Sequence, residues 1–117
     1  MKTFDHEKLD VYGTSIEFLI VVDAIAQELP RGRAYLRDQL RRAPTSVPLN
    51  IAEGAGEYSK SEKARFYRMA KRSAIECAAI LDVCRCSELI EQDKFEKGHE
   101  LLIRIVSMLI KMIRTKS

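Results

Sequence analysis

The chain has no tryptophan, and its 117 residues include only five glycines and three prolines. With so few helix breakers and an abundance of Leu, Ile, Ala, Glu, Lys and Arg, the composition favours helices. No apolar run is long enough to cross a bilayer, because the most apolar stretch, Phe18 to Val22, lies between Glu17 and Asp23. The opening segment carries Asp5, Glu7 and Asp10 and lacks the apolar centre of a signal peptide. The three cysteines, Cys77, Cys84 and Cys86, are an odd number that cannot all pair within one chain, which suits a reducing compartment. A cytoplasmic protein without membrane contact is the expectation.

Chemistry-bearing patterns are equally scarce. Cys84 and Cys86 do not have the CxxC spacing of a metal site, and His6 and His99 lie far from them. The cysteines read as small buried hydrophobes, with no metal or cofactor expected. Neither histidine has a nucleophile or carboxylate at a recognisable spacing, and no glycine-rich phosphate loop occurs. The Arg-before-His arrangement of small RNA-cleaving helical bundles is missing too, since Gln92, Asp93 and Lys94 precede His99. Without an assembled acid, base or nucleophile, no catalytic residue is assigned and no enzyme is expected.

What the chain does contain is helical periodicity over a length suited to one domain, residues 1–117. A first helix runs from Leu9 to Leu29 with an apolar arc at Ile16, Leu19, Ile20, Val22 and Ile25, and Pro30 and Gly32 end it. A second begins near Ala34. Its apolar face, Leu36, Leu40, Val47 and Ile51, stays in register through Pro44 and Pro48, which favours a kinked but continuous helix to Glu53, with Gly54 and Gly56 as the stop. The alternative is a break at Arg42 and a restart capped by Ser46.

Ser59 and Glu62 form a capping-box pair at the start of a third helix, whose face is Phe66, Ala70, Ser73, Cys77, Ile80 and Cys84. Leu89 and Ile90 should tuck beneath the next turn. Asp93 with Glu96 is a candidate cap for the fourth helix, which carries two apolar seams. One is Gly98, Leu102, Ile105, Leu109 and Met112; the other is Ile103, Val106, Ile110 and Ile113. A bundle needs one apolar face per helix, so the second seam predicts packing against further subunits. Short connections make the fold an antiparallel up-down four-helix bundle.

Charge is unevenly spread. From Pro30 to Arg72, eleven basic residues face four acidic ones, a balance of +7, and the rest of the chain stands at −4. Arg33, Arg37 and Arg41 follow i, i+4 and i+8 on helix two; Arg65, Arg68 and Arg72 follow i, i+3 and i+7 on helix three, with Lys63 and Lys71 nearby. These eight are the candidate phosphate contacts, with Tyr58 and Tyr67 available for stacking. A solvated helix face is the plainer explanation of the same pattern. Arg42, Ser46, Asn50 and Glu53 form a polar seam along helix two, assigned first to structural hydrogen bonding.

Gln39, Arg41, Arg42 and Ala43, then SVPLNIAEG from Ser46 to Gly54, then Phe66 and AKRSAIEC from Ala70 to Cys77, together resemble the S23-type proteins encoded by intervening sequences in large-subunit ribosomal RNA genes. The resemblance extends over nearly the whole chain, from the Phe4 to Tyr12 segment onward. It implies a four-helix bundle assembled into a ring, most simply a homopentamer, similar in fold to the accessory variability proteins of diversity-generating retroelements. The function it implies is non-enzymatic: binding of structured RNA or a ribonucleoprotein through the basic surface on helices two and three. A protein-interaction scaffold without nucleic-acid binding is the alternative.

Overall fold

The computed structural model of the chain describes residues 2–116. A single 3-10 turn, Asp5–Lys8, leads into four helices: α1 (Asp10–Glu28), α2 (Ala34–Ala55), α3 (Lys60–Cys86) and α4 (Gln92–Lys116). No strand occurs among the described residues. Each helix packs on the next, and α4 closes against α1, while the diagonal pairs do not meet. Connections of four or five residues force each helix to reverse, giving the up-down bundle. No helix among the described residues is long and apolar enough to cross a membrane.

The core is built from Phe18, Val22 and Ile25 of α1, Leu40, Val47 and Ile51 of α2, Ala70, Ala74, Cys77 and Leu81 of α3, and Leu101, Ile105 and Leu109 of α4. In α1 the buried face is Val11, Ser15, Phe18, Val22 and Ile25, which shares Val22 and Ile25 with the expected arc but not Ile16, Leu19 or Ile20. Ile20 points outward at 69% exposure, and Ile16 and Leu19 are half-buried. Because α1 is apolar almost all round between Ile16 and Val22, periodicity alone does not choose its inner face. Thr14 and Ser15 enter the interior by bonding the carbonyls of Asp10 and Tyr12, which satisfies their hydroxyls.

Helix α2 continues through both prolines, whose rings are buried. Thr45 and Ser46 hydroxyls donate to the carbonyls of Arg41 and Ala43 in the same turns. Gly54 is not the stop. It lies inside α2, buried, where an added Cβ would sit 2.6 Å from the Tyr67 ring, and the helix ends at Gly56 instead. Gly98 does the same for α4, where a Cβ would come within 2.9 Å of Leu81.

In α3, the Ser59 hydroxyl accepts the Glu62 amide at 3.1 Å, one half of the expected capping box, while the Glu62 carboxylate accepts from Arg65. Its buried face is turned toward Tyr67, Ala74 and Leu81, leaving Phe66 and Ser73 at the edge. Helix α4 begins one residue before Asp93, so Asp93 lies inside the first turn rather than capping it. Lys94 pairs with Glu28 and Lys97 with Glu17, fastening α4 to α1. Of the two apolar seams, the first is the inner one, with Leu102, Ile105 and Leu109 buried; the second is split, with Ile103 57% and Ile110 38% exposed and Val106 and Ile113 half-buried against the core.

The cysteines divide unevenly. Cys77 and Cys84 are buried, whereas Cys86 is exposed, at variance with the expectation that all three are core thiols. Cys86 is the last residue of α3.

Candidate nucleic-acid interface

The two basic rows do different work. On α2, the Arg37 guanidinium donates to the carbonyls of Ala26, Leu29 and Pro30, at 3.3, 2.9 and 3.4 Å. Ala26 lies in the last turn of α1 and Leu29 is its C-cap, so the cation meets the negative end of the helix; the Ala26 and Pro30 carbonyls also accept the Leu29 and Arg33 amides, and the Leu29 carbonyl is satisfied by Arg37. Arg37 is thus a tertiary cap of α1. Arg33 reaches the Tyr35 hydroxyl at 3.4 Å, and Arg41 lines the cleft between α1 and α2 beside Ile20 and Asp23.

Lys63 repeats the device on α2, its Nζ donating to the carbonyls of Gly54 and Ala55 at 3.2 and 2.9 Å. Four residues separate α2 from α3, so a lysine one turn into α3 falls directly over the end of the preceding helix.

The α3 row faces solvent. Arg65 donates to Glu62 at 2.9 Å and lies over the Phe66 ring, 4.5 Å from its centroid. That hydrogen bond holds the Glu62 carboxyl below its usual range and the guanidinium above its own, so the charges of the pair largely offset each other. Arg68 and Arg72 are exposed and Lys71 is half-buried; none of the three has a hydrogen bond or ion pair among the described residues. The structure therefore does not join the eight predicted cations into one surface. Arg37 and Arg41 belong to the α1 side of α2, whereas Arg33 bonds Tyr35 and acts by its charge on Cys84 of α3, and Arg72 borders the cleft on the α3 side. Tyr67 is buried against Gly54, and burial raises its hydroxyl pKa, whereas Tyr58 is fully exposed.

The polar seam of α2 does not enter the core and divides between two sides: Ser46 and Asn50 are half-buried and Arg42 exposed, with Asn50 and Arg42 facing α3, whereas exposed Glu53 lies in a hollow against the 3-10 turn beside Phe4 and His6. Asn50 donates to the Ser46 carbonyl at 2.8 Å, a bond within α2 and not to a neighbouring helix. Two hollows flank the seam. One is lined by Asn50, Met69, Arg72, Ser73, Ile75 and Glu76. The other contains Tyr35, Asp38, Gln39, Arg42 and again Glu76. Met69, Ser73 and Glu76 complete this cleft from α3 and were not among the predicted site residues. Their i, i+4, i+7 spacing was the available signal, but it coincides with the edge of the apolar face.

No group of three or more His, Cys, Asp and Glu side chains among the described residues could hold a metal ion.

A crystal structure of a protein of unknown function from the S23 ribosomal protein family, from Bacteroides thetaiotaomicron, superposes with a TM-score of 0.81 and 23% sequence identity. The match covers 88% of this chain and 97% of that one, and at this identity it speaks for the bundle fold. No curated protein matches the sequence. The pattern that defines the 23S rRNA-intervening sequence proteins matches residues 7–111. With all four helices inside or reaching into that span, the chain belongs to the 23S rRNA-intervening sequence protein family.

Proposed function

We propose that the protein is an oligomeric helical bundle that binds RNA, free or within a ribonucleoprotein, through the outer face of α3. The observation that carries this reading is the pair Arg68 and Arg72, solvent-facing and with no protein partner among the described residues, within a segment of net charge +7. On a helix these residues are about 6 Å apart along the axis, a stride suited to successive phosphates of a strand. Membership of a family named for rRNA intervening sequences supports the same partner. The protein acts by binding rather than catalysis, in the cytoplasm, where such RNA resides.

The outer seam of α4 favours self-association. Ile103 and Ile110, with half-buried Val106 and Ile113 between and beyond them, make an apolar row that a second subunit would cover. A homopentameric ring is the assembly the family resemblance implies. In such a ring the α3 faces would be repeated, multiplying weak phosphate contacts.

The test is binding of fragments of structured RNA at two salt concentrations, with light scattering on the same samples. Affinity that falls with salt supports the reading. Salt-independent or absent binding leaves the protein-interaction scaffold as the function.

A further inference from the structure

The cleft between α2 and α3 adjoins the arginines of α3 but differs from them in chemistry. Arg72 belongs to both, lying on the exposed row and lining the hollow that Asn50, Ser73 and Glu76 share. A strand whose phosphates follow Arg68 and Arg72 therefore passes the mouth of a polar hollow. Apolar side chains border it as well, since Met69 and Ile75 are 39% and 53% exposed.

The hollow offers donors, from Arg72, Ser73 and the second amide hydrogen of Asn50, and two acceptors without a protein partner among the described residues. Asn50 spends an amide hydrogen on the Ser46 carbonyl, leaving its Oδ1 unpaired among the described residues. Glu76 has no ion pair or hydrogen bond there, although it lines the neighbouring hollow with Arg42 as well. A carboxylate accepts two hydrogen bonds side by side. Within a strand a phosphate has no donor and a ribose only its 2′-hydroxyl, whereas the Watson–Crick edge of an unpaired guanine presents adjacent N1–H and N2–H donors. Cytosine and adenine offer there one amino donor beside a ring-nitrogen acceptor, and uracil one N3–H between two carbonyls, so none of the three can donate twice, side by side, to Glu76.

We infer that the α2–α3 cleft reads an unpaired guanine in bound RNA, Glu76 accepting from its Watson–Crick edge while Arg72 holds the adjoining phosphate. This rests on the RNA-binding reading above and adds base preference to it. Asn50 supplies a further acceptor, and Met69 and Ile75 give apolar surface for the base.

The probe is a single-stranded uridine-rich oligoribonucleotide with one central guanosine, compared by fluorescence anisotropy with the same strand carrying inosine, which lacks the N2 amino group. The wild-type protein should prefer guanosine by roughly tenfold, the equivalent of one hydrogen bond to a charged group. Glu76→Gln, with its fold checked by circular dichroism, should bring the two strands to equal affinity. Asn50→Ala should reduce the preference in part, and serves if Glu76→Gln fails to fold.

Salt-sensitive but equal wild-type affinity for both strands would overturn the base-reading cleft and leave RNA binding standing. Absence of salt-sensitive binding to either strand overturns both. Should Glu76→Gln keep the preference, or change the oligomeric state in its place, the cleft is a structural or subunit contact and the inference is wrong.

Discussion

The ring of Tyr67 lies directly against the backbone of Gly54, so close that a Cβ on residue 54 would be 2.6 Å from Cε1 and 2.9 Å from Cδ1. The end of α2 and the beginning of α3 are held together at this contact, which also sets where Lys63 meets the last carbonyls of α2.

Gly54→Ala should accordingly destabilise the bundle, despite alanine's better helix propensity. Propensity favours Ala by about 1 kcal/mol, but overpacking a well-filled contact costs about 1–3 kcal/mol. Urea unfolding of Gly54→Ala, Tyr67→Leu and the double variant should reveal strong coupling, with alanine tolerated once the ring is gone. Additive losses would show that the ring is not the obstacle.

Much of this architecture was legible because it is local. The Ser59 cap, the continuity of α2 and the inner seam of α4 all follow from residues within a few turns of one another. What stayed hidden depends on a second helix. Gly54 reads as a stop until Tyr67 is placed against it, and Arg37 and Lys63 read as phosphate contacts until the carbonyl ends of α1 and α2 are beside them. For the same reason the α2–α3 cleft showed only Arg42 and Asn50 from its α2 half. Glu76 joins it across the interhelical gap.

Arg37 and Arg68 should thus separate in mutagenesis. Arg37→Ala strips three carbonyls of a charged donor and should cost about 1–3 kcal/mol in thermal or urea unfolding. Arg68→Ala, at an exposed site without a partner among the described residues, should fall within about 0.5 kcal/mol of wild type. Equal effects would contradict the capping role.

The buried thiols predict an alkaline limit to stability. Burial, with a smaller push from Glu76, raises the Cys77 pKa to about 12, and burial raises Cys84 and Tyr67 in the same direction. Between the ordinary thiol value of 9.0 and about 12, the unfolded chain loses the Cys77 proton while the folded chain keeps it. The unfolded state therefore binds fewer protons, and stability falls as pH rises through that window. Below it, Cys77 contributes no pH dependence. Cys77→Ala should weaken the fall between about pH 9 and 11 in urea titrations, and an unchanged slope would remove Cys77 as its source. At about pH 8, an alkylating reagent should modify exposed Cys86 well before Cys77 or Cys84.

The two seams of α4 make opposite predictions. Leu109→Glu places a charge in the core and should unfold the chain, visible as lost helical circular dichroism. Ile110→Glu changes a partly exposed side chain, so the helices should persist while light scattering reports smaller particles. If Ile110→Glu leaves the assembly intact, the outer seam is not the subunit contact. A wild-type monomer at micromolar concentration would exclude the ring altogether.

The RNA-binding proposal turns on the α3 row, and Arg68 and Arg72 are the residues to change. Arg65 is tied to Glu62 and lies over Phe66, so its removal should matter less for RNA than that of Arg68 or Arg72. Replacing Arg68 and Arg72 with Gln should lower the log-log salt slope by roughly 0.7–0.9 for each phosphate that is no longer neutralised. Each subunit touching the strand gives up its own share, so the change scales with the number engaged. Phosphate contacts do not read sequence, which means the weakening should be similar for unrelated RNAs. Arg65→Gln alone should leave the slope close to wild type. A full-sized drop from Arg65→Gln, with none from the double variant, would mean that strands follow another path across the bundle.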